Sequence, residues 1–181
     1  MKRSFTALSP QETLHVAIFI EERNAELYHH FAELFVEFRD CESLEIAGVF
    51  WEMAIEERRH SSLLQAKYTE EYGNRSCSLT EEDLVDLIEV PRLEDGDLFA
   101  GDTRPTPGAR DRALQVALKA EIGAQLFYAS LAQTTQDRSL RKVYQELAQM
   151  EDGHVGFLEA KLEQNFNLNP DRESADENSI Q

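Results

Sequence analysis

Two segments of this 181-residue chain carry Glu-x-x-His within an apolar stripe, at Glu57/His60 and Glu151/His154, and two others carry a lone Glu in such a stripe, at Glu21 and Glu121. On a helix, residues three apart share a face, so each Glu-x-x-His presents a carboxylate beside an imidazole. The neighbours of all four glutamates at helical spacing are apolar: Ala17 and Ala25, Met53 and Leu64, Ala117 and Ala124, Leu147 and Leu158. A carboxylate on such a stripe points into the core, where an ionised group without a partner is strongly unfavourable. Four of them with two imidazoles, aimed at one interior, make sense if cations bind there, as in two-metal sites inside four-helix bundles. In that arrangement Glu57 and Glu151 bridge the ions, His60 and His154 serve one ion each, and Glu21 and Glu121 are terminal ligands. Four carboxylates balance two divalent ions. Mixed oxygen and nitrogen ligation without thiolate favours iron or manganese over a structural zinc site.

These side chains converge only if four helices hold them level. Ser9-Pro10-Gln11-Glu12 is a capping box with Pro at the first helical position, and Leu14, Ala17, Ile18, Ala25, Tyr28, Ala32 and Phe35 follow at helical spacing. A second helix is expected from about Glu42 to Tyr72, ended by Gly73-Asn74, a third over 109–134, and a fourth from near Asp137 to about Phe166. Between them, Thr80-Glu81-Glu82-Asp83 caps a short helix ending before Pro91, within a connection over 74–107. The polar tail over 167–181 is expected to be disordered.

The chain is an internal duplication. A shift of 100 residues places Leu14 on Leu114, Ala17 on Ala117, Glu21 on Glu121, Tyr28 on Tyr128 and Ala32 on Ala132; a shift of 94 places Val49 on Val143, Glu57 on Glu151, His60 on His154 and Leu64 on Leu158. Depth agrees with this. Residues equidistant from a hairpin turn lie level, and the midpoint of Glu21 and Glu57 is Arg39, beside Asp40; that of Glu121 and Glu151 is Gln136, beside Asp137. A helix of about 28 residues is ~42 Å long. The 34-residue connection can cross that length at ~3.3 Å per residue. The expectation is an all-α fold: two antiparallel hairpins joined by a long crossover, occupying 1–166.

Composition bounds the partners. A net charge of −17 argues against nucleic acid and anionic membrane. No apolar run reaches the ~20 residues of a membrane span, and Val16 to Ile20 is too short for a signal core, so a cytoplasmic location is expected. Cys41 and Cys77 form neither a CxxC nor a disulfide framework.

Other polar motifs read as surface. Glu26-x-x-His29 lies round the first helix from Glu21, and the duplicate of Glu26 is Leu126; with Glu22 and His30 it is expected to be solvated, as are His15, Glu52 and Glu146. Tyr28 and Tyr128 lie two turns beyond Glu21 and Glu121, either as core aromatics with a bonded hydroxyl or beside the metals. Phe50 and Tyr144 read as packing.

The segments Ile-Glu-Glu-Arg-Asn-Ala-Glu-Leu-Tyr around Glu21, Glu-Glu-Arg-Arg-His at Glu57/His60, Ala-Glu-Ile-Gly-Ala-Gln-Leu-Phe-Tyr around Glu121 and Met-Glu-Asp-Gly-His at Glu151/His154 resemble the rubrerythrin-like branch of the ferritin-like di-iron carboxylate proteins, over residues 10–165. The resemblance implies a ferritin-like bundle, two Fe ions (Mn or Zn as substitutes), reduction of hydrogen peroxide or dioxygen, and a homodimer. Rubrerythrins usually carry a four-Cys iron module that the two cysteines here cannot form, so an external donor such as a rubredoxin or reductase is expected. Their extra Glu, three residues after the third-helix ligand, is Ala124 here. Two rival readings are a ferroxidase that handles iron and a metal-free helical scaffold.

Overall fold

The computed structural model describes residues 8–74, 79 and 108–168. They form four helices, α1 (Pro10–Glu37), α2 (Cys41–Tyr72), α3 (Ala109–Thr134) and α4 (Arg138–Leu168), with no strand among the described residues. The Thr80 helix, most of the 74–107 connection, Cys77 and nearly all of the 167–181 tail lie outside them.

Local chemistry sets the helix boundaries. Ser9 Oγ accepts from the Glu12 backbone N–H at 3.2 Å while Glu12 accepts from the Ser9 N–H at 2.8 Å, which satisfies two of the donors a helix start leaves unpaired. Asp40 caps α2 by accepting from the Ser43 N–H at 2.8 Å. Asp137 caps α4, accepting from the N–H groups of Ser139 and Leu140 at 2.7 and 2.9 Å. The α1–α2 turn passes through Arg39 at φ 58°, and α3 starts from Gly108 at φ 87°. The second of these left-handed conformations is one that a residue without Cβ adopts freely.

All neighbouring helices are antiparallel. Gln11 of α1 bonds Tyr68 of α2 at 2.9 Å, Lys161 of α4 reaches Glu45 of α2 at 3.3 Å, and tyrosines of α1 and α3 reach across to each other's helix. Tyr72 and Thr134 line the same cavity at one end of the bundle. The other end of α3, Ala109, is therefore remote from Tyr72, and the connection joins opposite ends.

The core falls into two apolar clusters. One, near the start of α1 and the α3–α4 turn, contains Leu14, Ile18, Leu64, Tyr68, Tyr128, Tyr144 and Leu147; the other, near the α1–α2 turn, contains Tyr28, Phe31, Phe35, Ile46, Phe50, Leu114 and Leu158. Each fully buried Leu or Phe of this kind contributes ~1.5–3 kcal/mol. Between the clusters lies the level of Glu21, Glu57, Glu121 and Glu151. No helix among the described residues is long and apolar enough to cross a membrane.

Candidate metal centre

The four glutamates are each 0% exposed and His60 is 8% exposed; the His154 side chain is partly buried. Each helix contributes according to its register: α1 gives Glu21, α2 gives Glu57 and His60, α3 gives Glu121, α4 gives Glu151 and His154. The structure brings all six into two overlapping groups, Glu21, Glu57, His60 and Glu151, and Glu57, Glu121, Glu151 and His154. Within each group the potential ligand atoms lie no more than 4.8 Å apart.

Both rings present Nδ1 to the carboxylates. His60 Nδ1 stands 3.3 Å from Glu21 Oε2, Glu57 Oε2 and Glu151 Oε1. His154 Nδ1 stands 3.3 Å from Glu57 Oε1, 3.5 Å from Glu121 Oε2 and 3.2 Å from Glu151 Oε2. Glu57 and Glu151 thus offer one oxygen to each half. Glu21 and Glu121 serve one half each.

These atoms fit metal ions better than they fit one another. One N–H cannot point at three oxygens, whereas a cation amid one nitrogen and three oxygens meets all four. Glu21 Oε2, both oxygens of Glu57, Glu121 Oε2, Glu151 Oε1 and His60 Nδ1 are buried without a hydrogen-bond partner. Buried polar groups rarely stay unpaired, and such orphans call for an explanation. The oxygens turned away from the centre are satisfied: Tyr128 donates to Glu21 Oε1 and Tyr28 to Glu121 Oε1. The tyrosines therefore cross, each serving the other repeat's glutamate and leaving its second oxygen to face inward.

Proton affinities show how the cluster handles its charge without metal. Burial pushes the Glu21 and Glu121 carboxyls well above the usual range, and the Glu57 charge adds to this. Burial also acts to raise Glu57 and Glu151, but contact with His154 and His60 outweighs it, leaving Glu57 lowered and Glu151 at about 2. Burial acts to lower His60, yet Glu151, Glu21 and Glu57 carry it up to about 12. His154 is raised against burial by Glu121, Glu151 and Glu57. Protons on the imidazoles and terminal carboxyls stand where divalent ions would bring their charge. Burial, then the charge of Glu121 or Glu21, keeps Tyr28 and Tyr128 protonated as donors.

The motifs read as surface do not gather a site. Glu26 is exposed and pairs with Arg23 at 3.0 Å. His29 lies 3.6 Å from Glu33, with its ring 5.0 Å from that of Trp51, and Glu22 accepts from Gln65. Glu52 and Glu146 are exposed. His15 is half-buried, its ring 6.3 Å from that of Tyr68. Phe50 and Tyr144 are buried, stacked on Tyr28 and Tyr128 respectively.

Two residues beside the cluster escape a search for matched repeats. Glu56 Oε2 lies 2.8 Å from His154 Nε2, and its duplicate position is Met150. Asn24, one turn after Glu21, is buried with its Nδ2 unpaired, and its duplicate is Ala124. The available signal was a mismatch between repeats, polar in one and apolar in the other.

Comparison with known proteins agrees with the helical fold. Residues 112–180 match the family model described as Rubrerythrin. A hypothetical protein from Pyrococcus furiosus superposes with a TM-score of 0.66 at 23% identity, covering 91% of this chain and 94% of its own. An uncharacterized conserved protein from Magnetospirillum magnetotacticum MS-1 superposes with a TM-score of 0.65 at 22% identity, covering 87% and 95% respectively. Comparison with curated proteins finds no match. Residues 112–180 thus resemble the Rubrerythrin family, most of the chain shares the fold of these solved structures, and its four helices enclose a buried Glu/His cluster suited to two metal ions.

Proposed function

We propose that the protein is a non-haem di-iron oxidoreductase that reduces hydrogen peroxide or dioxygen, with electrons from an external donor such as a rubredoxin or reductase. The observation that most supports this is the sharing of Glu57 and Glu151 between the two halves of the cluster. Two iron ions would supply two electrons at one point, the number that takes hydrogen peroxide and two protons to two water molecules. Manganese fits the same oxygen-rich donor set, and zinc fits it without redox chemistry.

The chain's own residues hold and isolate the reaction. Glu57 and Glu151 keep opposite charge between the two positions. Tyr28 and Tyr128 hold the terminal carboxylates by their outer oxygens. The apolar clusters on either side keep bulk water from the carboxylate layer, where the low dielectric strengthens every electrostatic interaction.

Anaerobic iron reconstitution tests the reading. Two irons per chain are expected, oxidised by about one equivalent of hydrogen peroxide, as the two-electron balance requires. Stopped-flow oxidation should run faster with peroxide than with air-saturated buffer. A chain that takes up many irons supports iron handling instead, an alternative compatible with the charge of −17. A chain that takes up none overturns both.

A further inference from the structure

The duplication makes the two halves of the cluster near-copies, so the places where the copies differ are informative. Glu21 pairs with Glu121, Tyr28 with Tyr128, and each Glu-x-x-His with the other. The inward geometry is correspondingly balanced, with both imidazoles presenting Nδ1 to three carboxylate oxygens at 3.2–3.5 Å. The outward side of the imidazoles is not balanced. His154 Nε2 meets Glu56 Oε2 at 2.8 Å across the α2–α4 interface. At the position equivalent to Glu56 stands Met150, half-exposed, and no described side chain bonds His60 Nε2. A thioether is only a weak acceptor.

This difference has a chemical consequence. A carboxylate on the far nitrogen keeps the ring proton at Nε2, leaves the Nδ1 lone pair for a cation, and makes the imidazole a stronger donor. It also fixes the ring plane, which lowers the ordering cost of binding. Among the described residues, none gives His60 either aid. We propose that Glu56 makes the two metal positions unequal, so that the position at Glu121 and His154 takes a divalent cation first and more tightly than the position at Glu21 and His60. Glu56 is here a positioning residue acting through His154. The inference rests on the two-metal reading above and adds an order of filling to it.

The test is calorimetric titration of the metal-free full chain with Co(II) or Zn(II). The wild type is expected to bind two ions in two resolved steps. Glu56→Gln should weaken the tight step by about 10–100-fold, the usual effect of losing such a partner, bringing it toward the weak one. Met150→Glu should strengthen the weak step. Glu121→Gln should abolish the tight step and Glu21→Gln the weak one, which assigns them. Co(II) absorption at one equivalent should differ between wild type and Glu56→Gln, a signature that altered fold stability does not produce. Two equal steps in the wild type, or unchanged constants in Glu56→Gln, overturn the proposal while leaving the two-metal centre standing. Failure to bind either ion overturns the centre itself.

Discussion

Glu57→Gln should remove more than half of the stability that metal adds to this protein. Both Glu57 oxygens are buried without hydrogen bonds, one 3.3 Å from each imidazole, so each faces one of the proposed ions. An amide keeps the volume but offers one oxygen and no charge. With free metal at about one hundred times Kd, each site adds ~2.7 kcal/mol, or roughly 5 kcal/mol for two. For a chain of this length that raises the unfolding temperature by roughly 10–20 °C. The variant should gain less than about 5 °C on this scale, because one ion loses a ligand and both lose a shared charge. Metal-free Glu57→Gln will itself be weaker, since removing one partner from a buried charge cluster costs ~3–5 kcal/mol. The relevant quantity is therefore the difference between loaded and stripped protein, measured by calorimetry for each chain with elemental analysis alongside. A variant that still binds two ions and shows the wild-type gain would falsify the assignment of Glu57 as the shared ligand.

Further outcomes follow from the same geometry. Tyr128→Phe and Tyr28→Phe should each cost ~1.5–3 kcal/mol, the range for a hydrogen bond to a charged group, while two ions still bind; loss of metal instead would show that the hydroxyls ligate. Stripped protein should lose stability toward alkaline pH. His60 rises from 6.5 to about 12 on folding, so its contribution is whole below pH 6.5 and disappears as pH climbs through about 12. Glu21 and Glu121, raised well above 4.5, lose theirs in the same direction. Glu151, lowered from 4.5 to about 2, acts oppositely: its contribution is present above 4.5 and is lost as pH falls through about 2. Urea unfolding between pH 6 and 10 should therefore show a downward slope in stripped protein that loading flattens; a flat stripped profile would contradict it. Metal binding should also release protons, up to about four for two ions, seen as buffer-dependent heats of binding. His29→Ala should alter neither stoichiometry nor affinity, because His29 stands with Trp51 and Glu33 rather than with the cluster.

Much of the centre was legible from spacing. Glu21, Glu57, Glu121 and Glu151 interrupt apolar stripes at positions the duplication repeats, and hairpin arithmetic placed them level. The structure has them all at 0% exposure between two apolar clusters. The crossing of the tyrosines was not legible. Tyr28 shares a stripe with Glu21 yet donates to Glu121, because two turns along α1 carry its hydroxyl toward the antiparallel α3. Nor did the sequence single out Glu56, since its exposed position gives no periodic signal and its partner is 98 residues away in sequence. His15, expected in solvent, packs beside Tyr68 because α1 buries more than a single stripe.

The amino-acid order alone determined where helices start, which face of each is apolar, and that four carboxylates and two imidazoles lie on those faces. These are local properties, set by capping groups, the 3.6-residue period and the hairpin turns. Which oxygen meets which imidazole, which tyrosine serves which glutamate, and that Glu56 stands behind His154 were decided by tertiary structure. Those outcomes depend on the rotation and axial offset of one helix against another, which the packing of two apolar clusters sets jointly and no single segment encodes.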